Sequence, residues 1–121
     1  MALKKRKNSR RKGAVGEREA AALLRELFGW STARRSQQFC GQAETADLIV
    51  EDTPDIYWEV KRVQRLSVPK TMVKARTDAG RKAPALLHRQ NNSEWLLTIY
   101  VDDLPRIVHA YDQSLKESRT D

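Results

Sequence analysis

The sequence predicts one α/β domain, with a central mixed sheet flanked by helices and a further helix at the C-terminus, in the order αβββαββα. Three observations carry this prediction. At 121 residues the chain has room for one domain with a modest core. Apolar positions recur every three to four residues in some segments and alternate in others, the two periods that separate helices from strands. Gly, Pro or short polar clusters fall where one period gives way to the other.

From the N-terminus, residues 1–12 hold seven basic residues and no acidic ones, and are expected to form a flexible arm ahead of a folded domain over 13–121. "GAVGEREAAALLRELFGW" then sets Ala20, Leu23, Leu24, Leu27 and Phe28 on one stripe among strong helix formers, with an end near Gly29. Glu17 falls about 50° from the centre of that stripe and Glu19 about 110°, so Glu17 should lean toward the core and Glu19 toward water. "WSTARRS" alternates weakly and reads as a first strand, followed by a polar loop, "QQFCGQAET". "ADLIV" is a short apolar strand and "EDTPD" a turn. "IYWEVKRV" is the next strand, antiparallel to "ADLIV" because only five residues join them. "SVPKTMVKARTDAG" suits a second helix, with Pro69 near its first turn, Gly80 at its end and a basic outer face. "APALLHRQ" and "EWLLTIYV" make two more strands across "NNS", and "DDLPRIVHAYDQSLKES" reads as the terminal helix. Trp30, Trp58 and Trp95 sit in apolar-patterned positions and are expected in the core or a subunit interface.

Composition narrows the function classes. No apolar run approaches the roughly 20 residues that span a bilayer, so no membrane partner is expected. The basic N-terminus lacks the apolar stretch of a secretory signal, which points to the cytoplasm. A single cysteine, Cys40, excludes an internal disulfide and a multi-cysteine zinc site, and reads as a bystander. The net charge of +7 is unevenly spread: +7 over residues 1–12, −5 over 13–60, +8 over 61–90 and −3 over 91–121. An arm and a central segment so basic indicate a polyanionic partner, nucleic acid foremost, bound through counterion release at phosphates.

The chemistry is concentrated in "IYWEVKR". Side chains alternate along a strand, so Glu59 and Lys61 share a face with Tyr57, while Trp58 and Val60 point the other way. Pairing with "ADLIV" can bring Asp47 beside Glu59. Two carboxylates so placed repel and are costly to bury unless a cation neutralises them. Mg²⁺ suits this site, with Mn²⁺ a plausible substitute, because it accepts one or two carboxylates together with a main-chain carbonyl such as that of Val60 and phosphate or water oxygens. Glu17 could join directly or through water. Lys61 would orient the attacking water and offset charge at a scissile phosphate.

A helix acid, an Asp before an apolar strand and Glu-x-Lys on the next strand together resemble the PD-(D/E)XK nuclease superfamily. Within it, the stretch from about Lys12 to Val101 is similar to the small Holliday junction resolvases of archaea and bacteriophages. "KGAVGERE" places Glu17 at the family's helix glutamate, "ADLIV" places Asp47 at its metal aspartate, and "WEVK" places Glu59 and Lys61 at its Glu-x-Lys. Ala46 stands where the family usually has proline, and Ser36 is the candidate for the catalytic-loop serine of some resolvases. The resemblance implies an αβββαβ nuclease core and hydrolysis with a divalent metal to 5′-phosphate ends. It also implies a homodimer that nicks two strands of branched double-stranded DNA, in the host cytoplasm if the chain is phage-encoded.

On that reading the basic residues are DNA contacts. In the arm these are Lys4, Lys5, Arg6, Lys7, Arg10, Arg11 and Lys12. In the first half of the body Arg18, Arg34, Arg35 and Ser36 would join them, and Arg62, Arg65, Lys70, Lys74, Arg76, Arg81 and Lys82 would grip phosphates around the carboxylates. Apolar residues of the fifth strand and terminal helix, Trp95, Leu97, Ile99, Ile107 and Tyr111, are expected at the dimer interface. The competing expectations are a nuclease of the same fold acting on flaps, forks or DNA ends, and a non-catalytic DNA-binding protein on this fold.

Overall fold

A computed structural model describes the backbone of residues 2–36 and 46–119 and the side chains of residues 13–36 and 46–116. The expected loop over 37–45, with Cys40, lies outside the described residues. Helix α1 spans Ala2–Phe28, so the basic segment expected as a separate arm continues the first helix. Strands β1 (Arg34–Arg35), β2 (Leu48–Ile49) and β3 (Ile56–Arg62) follow. After them come helix α2 (Val68–Ala79), strands β4 (Ala83–Arg89) and β5 (Leu96–Ile99), and helix α3 (Leu104–Arg119). The five strands form one mixed sheet in the order β1-β2-β3-β4-β5. Only β3 and β4 run parallel, as the α2 crossover between them requires; the other neighbours are antiparallel.

Small residues decide how α1 sits. Ala20, Ala21 and Leu24 are buried, and a Cβ on Gly16 would come within 3.0 Å of the Arg62 Cβ. The helix therefore lies directly on β3, which places Glu17 and Glu19 over the C-terminal end of that strand. α1 stops at Gly29, whose φ of 71° returns its N–H to the Arg25 carbonyl at 3.0 Å. The expected first strand is shorter than its alternation suggested, because Ala33 N–H closes a turn on the Trp30 carbonyl at 3.0 Å and leaves two residues for β1. The C-terminal part of "EWLLTIYV" likewise leaves the sheet in a 3-10 turn, Val101–Asp103.

The core lies between the sheet and the α1 and α3 helices. Trp30 and Trp58 are both 4% exposed, with ring centroids 5.8 Å apart. Their indole N–H groups donate to Ser114 Oγ at 2.8 Å and to Thr53 Oγ1 at 3.0 Å, so neither ring is buried with an unmet donor. Trp95, Ile99 and Ile107 pack against this core as half-buried residues. On the other face α2 buries Met72, Ala75 and Ala79.

Candidate functional site

Asp47 is placed by the end of β2. Its N–H donates to the Trp58 carbonyl at 3.0 Å, and its carbonyl accepts from Ser36 N–H at 2.9 Å, so at this bend before β2 its backbone is tied to β3 on one side and to the end of β1 on the other. Beyond it the ladder stops, and the Asp47 carboxylate takes over: Oδ2 accepts the Val60 N–H at 2.9 Å. Within a strand a residue's N–H and C=O point to the same edge, so the Val60 carbonyl also faces this side, past the last rung of β2. Asp47, Val60, Lys61, Arg62 and Glu17 then line a cleft of about 410 Å³ with Gly13, Val63 and Gln64. Glu59 stands behind it, 8% exposed and close enough to Asp47 to feel its carboxylate.

Two neighbouring carboxylates repel, and a proton on one of them relieves the repulsion. Burial first, then the hydrogen bond to Asp47 and its negative charge, push Glu59 from the ordinary value of 4.5 up to about 8, against the lowering effect of Lys61 and Lys74. Glu17 is raised in the same direction, mainly by burial, although its bond to Arg35 opposes the shift. The proton on Glu59 is kept by the fold but not by the unfolded chain between pH 4.5 and about 8. Folding stability from this group is therefore full below pH 4.5 and falls as pH rises through that window. In chemical denaturation without divalent ions, the wild type should lose about 1–4 kcal/mol of unfolding free energy between pH 5 and 8 through this group. Glu59→Gln should flatten the dependence, and an equal slope in both proteins would contradict the assignment.

The expected residues are brought together unequally. Asp47, Glu59, Val60 and Lys61 meet at the end of β3. Glu17 reaches the same cleft, but its Oε1 is 2.6 Å from Arg35 Nε. Among the described residues no three His, Cys, Asp or Glu side chains form a group that could by themselves hold a metal ion. Arg35, expected at DNA, is thus engaged by Glu17, and Arg34 pairs with Glu51 at 3.4 Å. Ser36 is only 5% exposed, with its hydroxyl buried, which corrects its expected place on the contact surface.

The crossover sorts the remaining cations. α2 starts near the C-terminal end of β3 and returns to the N-terminal end, so Lys70 and Lys74 lie toward the cleft, with Arg65 in the loop before them. Arg81 and Lys82 precede Ala83, whose partner is Ile56, five residues from Lys61. At ~3.3 Å per residue that is roughly 15–20 Å along the strand from Lys61, so these two sit toward the opposite end of β3 and do not surround the pocket as expected. Arg76 stacks over the Tyr100 ring, 4.0 Å from its centroid. Arg18 is exposed beside Glu17, while the side chains of Lys4 to Lys12 lie outside the described residues.

One cluster was missed. Glu19, expected to face water, lies 3.3 Å from Arg62 and 3.5 Å from Arg89. Arg62 and Arg89 are cross-strand partners, a register that neither segment reveals by itself. Comparison of the chain with family models, with curated proteins and with solved structures finds no match. No helix among the described residues is long and apolar enough to cross a membrane.

Proposed function

We propose that the protein is a metal-dependent DNA endonuclease of the PD-(D/E)XK kind that resolves four-way junctions. The observation that carries this reading is the Asp47–Glu59 carboxylate pair, with Lys61 two residues further along the same strand at a cleft. The residues fit a hard divalent cation. Burial and the neighbouring Asp47 carboxylate push Glu59 toward its protonated form, and a cation would replace that proton; the Val60 carbonyl on the same edge adds an uncharged oxygen. Asp47, Glu59 and Val60 would hold Mg²⁺ or Mn²⁺, with Glu17 able to join when it leaves Arg35. When bound, such an ion neutralises a phosphate oxygen and acidifies water. The ammonium of Lys61 orients the attacking water and offsets negative charge as the phosphodiester bond breaks. Arg18, Arg65, Lys70 and Lys74 supply phosphate contacts around the cleft.

Paired incision of a two-fold junction calls for two such sites, and the apolar face away from the cleft suits a second copy of this chain. Leu27, Leu96, Leu97, Val108 and Tyr111 are between 39% and 64% exposed there, beside a groove of about 340 Å³. Of the patch expected from the sequence, Leu97 and Tyr111 belong to this surface, whereas Trp95, Ile99 and Ile107 lean into the core. The test takes one preparation, measures its mass by light scattering and incubates it with labelled four-way junction, Y-fork, flap and linear duplex, with Mg²⁺ or EDTA. Twice the 13.9 kDa chain mass and symmetric nicks in the junction are expected, with none in EDTA. Preferred cutting of flaps or forks would move the reading to another nuclease of this fold, and binding without cutting would reduce it to a DNA-binding protein.

A further inference from the structure

Arg62, Arg89 and Glu19 form a charged cluster that the proposed hydrolysis leaves unused. Arg62 and Arg89 are partners on the last rung of the parallel β3–β4 ladder and leave the same face of the sheet, toward α1. Each side chain is about four-fifths buried, with 20% and 21% exposed. One carboxylate serves both: Glu19 Oε1 is 3.3 Å from Arg62 Nη1, and its Oε2 is 3.5 Å from Arg89 Nη2. Arg89 otherwise reaches the Ser93 carbonyl at 3.5 Å and lies 5.6 Å from the centroid of the Trp95 ring. The Nε atoms of both arginines are buried without an acceptor.

Two guanidinium groups offer about ten N–H donors, and one carboxylate at the long end of contact distance cannot satisfy them. The cluster also keeps an excess positive charge that is partly removed from water, a costly state until an anion arrives. A phosphate group, with several acceptor oxygens, matches two planar forks better than Glu19 does. Arg62 lines the cleft directly after Lys61, so an anion held here is next along the surface from the carboxylate pair.

We propose that Arg62 and Arg89 form a second phosphate clamp, for a backbone phosphate of the DNA strand adjoining the cleft, and that Glu19 fills the clamp in the free protein and gives way when the strand binds. The identity of the anion rests on the nuclease reading; the clamp itself acts in binding and needs no metal. The test measures the anisotropy of a fluorescein-labelled four-way junction in EDTA across a salt series, using the full chain with folding checked by thermal melts. Arg89→Gln should weaken binding about tenfold and lower the log–log salt slope by about 0.9, the value for one phosphate contact. Glu19→Gln should tighten binding more than Glu26→Gln, the same charge change at an exposed position of α1. If Arg89→Gln does not fold, Arg89→Lys replaces it; keeping the charge but losing the fork, it should weaken binding several-fold at an unchanged slope. Arginine variants that bind like wild type, or a Glu19→Gln gain no larger than that of Glu26→Gln, would make the cluster a tie between strand ends and helix and overturn the proposal. Normal DNA binding with the Arg89 effect present but no cleavage in Mg²⁺ would sink the nuclease reading and leave the clamp standing. Absence of DNA binding by the wild type would remove both.

Discussion

Asp47→Asn and Glu59→Gln should each lower Mg²⁺-dependent cleavage of a four-way junction by ~10³-fold or more, while junction binding stays equal or becomes tighter. The two halves of this expectation come from one feature, two neighbouring carboxylates, one of them buried and pushed toward its protonated form. Neutralising either residue removes charge needed to hold a divalent ion, so hydrolysis stops. Neither change adds negative charge beside the phosphate, and Asp47→Asn removes one, so binding has nothing to lose. The folds of these variants should survive for the same reason. Asp47→Asn can still accept the Val60 N–H through its amide oxygen, and Glu59→Gln carries permanently the neutral state that Glu59 already favours at pH 7. Single-turnover cleavage with Mg²⁺, alongside a mobility-shift titration in EDTA, gives both numbers. Parallel loss of binding and cleavage would mean that the pair is structural.

The second large effect is expected from Lys61→Ala, a fall in cleavage of about 10²–10⁴-fold with Mg²⁺ affinity preserved. Lys61 follows the Val60 carbonyl at the end of β3 and lines the cleft, close enough to Glu59 and Glu17 to oppose the rise in both carboxyls. Its proposed work is on water and the scissile phosphate, not on the ion. Removing it should not weaken the ion's hold, and by taking away a neighbouring cation could strengthen it. Titration calorimetry with Mg²⁺ separates the roles. A collapse of metal affinity in Lys61→Ala would reassign the lysine to building the site.

Much of the frame was legible because it depends on local periodicity. The alternation in "IYWEVKR" gave the strand Ile56–Arg62 and its two faces, and the five residues of "EDTPD" allowed only an antiparallel return. Pro69 and Gly80 bracketed α2, with Gly80 at a φ of 61° after its last turn. The first strand was overread, since "WSTA" shows the same polar–apolar alternation as a strand but closes a turn. The length of α1 was underread: charge repulsion in residues 1–12 suggested an arm, whereas the helix reaches back to Ala2.

The candidate site divides along the same line. By itself the sequence determined which residues could carry the chemistry, because Asp47, Glu59 and Lys61 sit on strand positions whose faces follow from a period of two. Only the tertiary structure decided how each charge is used. Arg35 turned to Glu17, Arg62 and Arg89 converged on Glu19, and Arg81 and Lys82 were carried to the far end of the sheet. A side chain's face is a local property of the backbone that bears it, but a charge's partner is set by strand register, crossover and helix seating, which bring together oppositely charged residues 70 positions apart, as with Glu19 and Arg89.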